Sequence, residues 1–217
     1  MDSNMNSPKR LISVAGMVGI GKTTFTEELA SRLHFQTSLE KVDGNPYLDA
    51  FYQDFERWVF QLQIYFLSER FKESKRMAIA PCSFVQDRSI YEDTGVFAAM
   101  HHEKGTMSEA DYQTYTSLFQ AMVMTPYFRK PDLLIYLHGS LEATIERILE
   151  RGRSMEKQTP VRYWKEMDQR YEQWINAFQD CSVLKINIED YDLVHQPHSF
   201  DRVVTEIEEQ LFPTERI

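Results

Sequence analysis

The segment Gly16-Met17-Val18-Gly19-Ile20-Gly21-Lys22-Thr23 constrains this chain more than any other. It has the pattern G-x-x-x-x-G-K-[S/T], with an apolar run at 11–15 before it and a helix-forming stretch at 23–33 after it. Glycines let successive backbone N–H groups converge on phosphate oxygens, and the helix N-terminus adds a positive partial charge. Residues 16–23, with Thr24 next to them, are therefore the expected cradle of a nucleoside triphosphate. Lys22 supplies a point charge to the β/γ-phosphates, and the Thr23 hydroxyl is a ligand for Mg2+. The same residues dispose of a second reading. Lys9-Arg10 followed by an apolar, Gly-rich stretch mimics a short secretion signal, but Lys22 arrives too soon and no clean cleavage site follows.

Short apolar strands alternate with helical patterns along the rest of the chain. Strands are expected at 11–15, 36–40, 83–86, 133–137 and 183–188, which argues an α/β fold with a parallel sheet. Helices are expected near 54–73, 90–103 and 108–124. Another begins after Ser140 as cap, with Leu141, Ile145, Ile148 and Leu149 as its core face. A further one has Pro160 at its first position, and a terminal one carries Phe200, Val203, Val204, Ile207 and Leu211. No repeat or linker interrupts the pattern. Residues 1–10 read as a flexible tail and 11–217 as one domain.

The 54–73 helix is apolar on more than one face, as buried helices are. Gln63 and Arg70 nonetheless sit on it, seven residues apart and so on roughly one face. Buried polar groups need partners; an internal hydrogen bond or a ligand pocket would supply them.

Charge narrows the partners. The 217 residues carry 33 acidic and 24 basic side chains, a net charge of −9, which disfavours nucleic acid and anionic membranes. No run approaches the ~20 apolar residues of a membrane span. Cys82 and Cys181 form no CxxC pair, and buried free thiols in a reducing, cytoplasmic compartment are expected. His101-His102-Glu103 lacks the spacing of a metal motif, adjoins Lys104-Gly105 and reads as a solvated turn.

A triphosphate cradle serves both switches and kinases. The Asn-Lys-x-Asp and Asp-x-x-Gly elements of a regulatory GTPase are absent. Arg147, Arg151 and Arg153 form R-x-x-x-R-G-R at the end of a helical stretch. They are either a solvated basic helix end or, beside a phosphate cradle, a lid that closes on phosphates.

With these motifs in order the chain resembles the deoxynucleoside kinase family over about 12–191. The resemblance rests on the phosphate loop, Glu40 with Asn45-Pro46, Phe51-Tyr52, Glu56-Arg57-Trp58 with Gln63, Asp87-Arg88-Ser89, the three lid arginines and Glu189-Asp190-Tyr191. Tyr47-Leu48, the run from Gln86 to Asp93 and Met122-Val123-Met124-Thr125-Pro126 are similar to the bacterial deoxyadenosine/deoxycytidine branch. The resemblance implies a P-loop kinase fold with a five-stranded parallel sheet in the order 2-3-1-4-5, flanked by helices, and an arginine-rich lid at about 151–160. It implies transfer of the γ-phosphoryl of ATP or another triphosphate to the 5′-hydroxyl of deoxyadenosine and/or deoxycytidine, a nucleoside-salvage reaction, with Mg2+ and in a homodimer. Alternatives are a deoxyguanosine or thymidylate kinase, or a nucleotide-binding regulator.

The resemblance also implies roles. Glu40, ending the second strand, is the general base. Arg88 holds the base and the incoming phosphate, and Asp87 joins Thr23 at Mg2+. Gln63 meets the nucleobase edge, Phe97 stacks on it, and Arg70 with Asp93 reads a purine edge. Tyr52 holds the sugar 3′-hydroxyl, and Asp190 and Tyr191 sense the donor's base. Tyr52 and Phe97 also suit a core, and Arg70–Asp93 also suits a structural ion pair. A family glutamate that meets the 3′-hydroxyl has Arg162 at its matched position here, with Glu166 one turn on as a substitute. The cations so gathered imply a positive site on an acidic molecule.

Overall fold

The computed structural model describes residues 8–193 and 195–212; the tail expected at 1–10 falls mostly outside them. Five strands, β1 (Leu11–Gly16), β2 (Gln36–Ser38), β3 (Phe84–Asp87), β4 (Leu133–His138) and β5 (Ser182–Asn187), form one sheet. All pairings are parallel and the order is β2-β3-β1-β4-β5, as the resemblance implies. The expected second strand is shortened: it ends at Ser38, so Glu40 stands two residues beyond it.

Alternating side chains of the central strands feed two cores. Ile12, Val14 and Ile135 pack with Phe25 and Leu29 of α1 (Lys22–Leu33) and with Phe200, Val203 and Ile207 of α10 (Ser199–Leu211). Ala15, Leu134 and Tyr136 face Trp164, Met167 and Tyr171 of α9 (Val161–Ala177). A third core lies outside the sheet. There, Val59, Leu62 and Leu67 of α3 (Phe55–Ile79) meet Tyr115 of α6 (Glu109–Val123) and Phe51 of α2 (Leu48–Gln53).

Local chemistry sets the helix ends. The Asp54 carboxylate accepts from the Arg57 N–H at 3.0 Å to start α3. The helix runs past the expected 73 to Ile79, where Ala80 turns extended before Pro81. Ser140 caps α7 (Leu141–Arg151), and Gly152, at φ 83°, ends it. The short α8 (Ser154–Lys157) follows. Three expectations change. Leu149 lies exposed on the outer face of α7. Pro160 is the cap of α9 rather than its first helical residue. The two free cysteines are half-buried rather than buried.

The segment expected as one helix at 90–103 has three parts: α4 (Ile90–Glu92), a π-helical turn (Asp93–Ala98) and α5 (Ala99–Glu103). Widened turns of this kind cluster at functional sites. Here the notch at Gly95 is filled by Trp174 of α9, since a Cβ at Gly95 would lie 2.3 Å from the indole.

Candidate active site

Register brings the chemistry to one edge. Val14 of β1 stands beside Asp87 of β3, so the loop after β1 and Asp87-Arg88 emerge together at the carboxyl ends of the strands. They open into a cavity of about 740 Å3. Val18, Gly19, Gly21, Lys22, Thr23, Thr24, Glu40, Tyr52, Gln63, Asp87, Arg88, Asp93, Phe97, Arg147, Arg151 and Arg153 line it.

The phosphate loop closes tightly. A Cβ on Gly16 would fall 2.6 Å from the Leu137 carbonyl, and one on Gly19 2.5 Å from the Ile148 side chain. Both glycines also have positive φ. Met17 and Ile20 turn their side chains into the cores, and the Ile20 carbonyl accepts from Arg147 Nη1 at 3.3 Å. Lys22 is buried, and its Nζ donates to the Gly16 and Met17 carbonyls at 2.8 and 2.9 Å. Burial first, then the nearby Arg88 charge, lowers its pKa to about 8.

Thr23 Oγ1 donates to Asp87 Oδ2 at 2.6 Å, while Asp87 Oδ1 is buried without a partner. Two hard oxygen ligands with unspent acceptor capacity suit Mg2+. Among the described residues no group of three or more His, Cys, Asp or Glu forms a metal cage.

Glu40 lies between two guanidinium groups, with Oε1 2.7 Å from Arg70 Nη2 and 3.0 Å from Arg88 Nε. Burial alone would raise its pKa, but Arg88, Arg70 and Lys22 outweigh that and hold it down to about 2. Arg88 adopts a left-handed backbone, φ 65°, with its N–H donating to the Val14 carbonyl at 2.9 Å. Its guanidinium lies 4.7 Å from the centre of the Phe97 ring.

Arg70 also donates through Nε to Asp93 Oδ2 at 3.0 Å. It sits behind the cavity wall, and Asp93 is on the wall. Gln63 is buried on the cavity lining, and its Oε1 has no hydrogen-bond partner within the protein. Asp190 and Tyr191 are not brought to the cavity. Asp190 is exposed, and the Tyr191 ring packs on Phe25 and Phe200 at 5.7 and 5.3 Å.

Arg162, the position matched to the sugar-binding glutamate, points into solvent and pairs with Glu166 at 2.8 Å; Glu166 in turn meets Lys104. Neither Arg162 nor Glu166 lines the cavity. Glu156 of α8 does line it; it is 3% exposed, with both oxygens 2.7 Å from Arg151 Nη2 and one 3.5 Å from Arg153 Nη1. Its sequence signal was the one acid in the expected lid at 151–160. His101 also departs from expectation. It is fully buried, within hydrogen-bond reach of Thr106 Oγ1 (2.8 Å) and the Tyr163 hydroxyl (3.2 Å), and burial lowers its pKa to about 3.

The cavity is also not simply positive. Lys22, Lys41, Arg70, Arg88, Arg147, Arg151 and Arg153 share it and its wall with Glu40, Asp43, Asp87, Glu92, Asp93 and Glu156. Seven cations stand with six carboxylates, and most of them are already paired.

Comparison with known proteins gives a consistent result. The family described as deoxynucleoside kinase matches residues 12–212. The sequence is 63% identical over 197 residues to the deoxyadenosine/deoxycytidine kinase of Bacillus subtilis (strain 168), covering 91% of each chain. It is 39% identical over 184 residues to the deoxyadenosine kinase of Dictyostelium discoideum, covering 83% of this chain and 73% of that one. Among solved structures, deoxyadenosine kinase from M. mycoides with bound dCTP matches with a TM-score of 0.78 at 27% identity. That match covers 92% of this chain and 99% of the other.

Proposed function

We infer the details of the reaction from a firm premise: the chain belongs to the deoxynucleoside kinase family. It is a phosphotransferase for small molecules that uses a nucleoside triphosphate as donor. The acceptor we propose is deoxyadenosine and/or deoxycytidine, phosphorylated at the 5′-hydroxyl. The observation that carries this reading is Gln63, a buried amide with an unpaired Oε1 on the wall beside Phe97 and Asp93. Adenine and cytosine both place an exocyclic amino donor next to a ring-nitrogen acceptor, which one carboxamide can meet with two hydrogen bonds. The relative at 63% identity bears both nucleosides in its name.

In this reading Glu40 takes the proton of the 5′-hydroxyl. Held ionised by its two arginines, it is always in the accepting form near neutral pH. Lys22 and the loop N–H groups bind the donor's phosphates, and Arg88, Arg147, Arg151 and Arg153 spread the charge of the transferring phosphoryl group. Thr23 and Asp87 would hold Mg2+, which supplies Lewis-acid charge at the donor's β- and γ-oxygens when bound. Tyr52 and Glu156 are the pair we assign to the sugar 3′-hydroxyl. Both line the cavity, and the Glu156 charge contributes to raising the Tyr52 pKa, after burial. Arg70 with Asp93 sets the wall behind the base. Asp190 and Tyr191 stay assigned to the donor's base on the family resemblance alone, since neither lines the cavity. A cytoplasmic homodimer completes the reading, with Leu118 of α6 and Ile79 of α3 as exposed apolar contacts.

A coupled ADP-release assay against a panel of nucleosides and nucleoside monophosphates tests the acceptor. Turnover with deoxyadenosine or deoxycytidine is expected, and preference for deoxyguanosine or a monophosphate overturns the choice. In the same assay Glu40→Ala should lower kcat by roughly 10²–10⁴-fold while donor affinity holds. Unchanged kcat removes Glu40 as the base.

A further inference from the structure

The reaction as derived leaves one buried acid unused. Glu92 is fully enclosed, one helical turn after Arg88, and its Oε1 accepts three hydrogen bonds. They come from the Tyr171 hydroxyl at 2.6 Å, Arg88 Nη1 at 3.2 Å and the Gly16 backbone N–H at 3.2 Å. Arg88 Nη1 closes the triangle by donating to the Tyr171 hydroxyl at 2.8 Å. The second carboxylate oxygen, Oε2, is buried with no hydrogen-bond partner. A carboxylate so placed costs folding energy that an apolar residue would not. Its geometry shows what the cost maintains: one oxygen joins the first residue of the phosphate loop, the arginine at the reaction centre and the helix that follows the lid.

We propose that Glu92, with Tyr171, is a positioning residue for phosphoryl transfer, fixing the Arg88 guanidinium against the phosphate loop throughout the reaction. The need for such a clamp follows from Glu40, whose role as base rests on the reading above. Glu40 is the other carboxylate on Arg88, 3.0 Å from Nε. When Glu40 accepts the hydroxyl proton it becomes neutral and its hold on Arg88 weakens. That is the moment at which the guanidinium must stay on the moving phosphoryl group. Glu92 and Tyr171 grip the opposite side of the same guanidinium, at Nη1, and touch no reacting atom.

Steady-state kinetics of Tyr171→Phe, Glu92→Ala and Glu92→Gln test this, using whichever deoxynucleoside the parent enzyme phosphorylates. Failure of the acceptor assignment is therefore read on the parent alone and is separable from failure of this proposal. Tyr171→Phe and Glu92→Ala should each lower kcat by roughly 10- to 100-fold, with KM for both substrates within about threefold of the parent, since only transition-state alignment is lost. Glu92→Gln, which keeps an acceptor at Oε1, should recover much of the loss. The double variant should be no worse than the poorer single one, because both groups act on one guanidinium. A kcat within about twofold of the parent in the soluble variants, or kcat and KM moving together with a lowered Tm, overturns the proposal. Should Glu92→Ala fail to fold, Tyr171→Phe carries the same test by deleting a single hydroxyl.

Discussion

Lys22 shows how a single residue is held ready. Its ammonium is tied to two carbonyls of its own loop, and burial with Arg88 nearby brings its pKa to about 8. Binding a triphosphate adds negative charge beside it and must raise that value. The sign follows: well below pH 8 the group is already protonated and binding takes up no proton, while at and above pH 8 binding draws one from solution. Calorimetry of donor binding at pH 8, in two buffers of different ionisation enthalpy, should therefore show buffer-dependent heat, and affinity should fall as pH rises past about 8. Equal heats in both buffers would mean that Lys22 stays charged. Lys22 and Thr23 were readable because both belong to one contiguous motif, and the partners of Lys22 lie within it. Glu156 was not, because only the fold of α8 decides that the acid of the lid turns inward. His101 was misread for a related reason. Its neighbours His102, Glu103 and Lys104 are polar, but Phe51, Phe55 and Tyr163, distant in sequence, bury it.

At the scale of elements, strand order and the phosphate-loop helix follow from patterns that parallel sheets enforce on sequence. The π-helical turn at Asp93–Ala98 does not. Its extra width answers to Trp174 on another helix, and no periodicity within the turn records that. It nonetheless sets where Asp93 and Phe97 stand on the cavity wall. Gly95→Ala would place a methyl 2.3 Å from the Trp174 ring, which itself packs on Tyr171 and Phe178. Overpacking of this kind costs about 1–3 kcal/mol. Thermal unfolding should show the loss, and because the turn must shift, KM for the acceptor should rise more than KM for the donor. Unaltered Tm and acceptor KM would mean that the indole moves aside freely. The second strand was overestimated because Leu39 and Glu40 continue its pattern after its partner strand has ceased to pair with it.

The molecule as a whole resolves the puzzle of an acidic protein that binds anions. The net charge of −9 lies over the surface, and the cavity offsets its own cations with carboxylates. Anions entering it are thus expected to exchange partners with these ion pairs more than to meet a surplus of positive field. Because the cavity is walled by the sheet, α3 and the lid together, ligands should stabilise all three as one cooperative unit. A ligand at a hundredfold its Kd adds about 2.7 kcal/mol, or roughly 5–10 °C in Tm for a chain of this size. One unfolding transition moving as a whole is expected in calorimetry, and a second, unmoved transition would show that α3 and α6 unfold apart from the sheet. The central place of β1 has a further consequence, in biosynthesis. β1 is synthesised before both its neighbours, and it pairs Ile12 with Val85 on one side and with Leu133 on the other. At 5–20 residues per second that second neighbour arrives roughly 6–25 s later. β3 comes sooner and covers one edge of β1, but until β4 follows, the other edge of this buried strand stays open and its loop lacks part of its walls. The demand this fold makes on chaperones is thus set by where the phosphate loop stands in the chain, whatever the stability of the finished sheet.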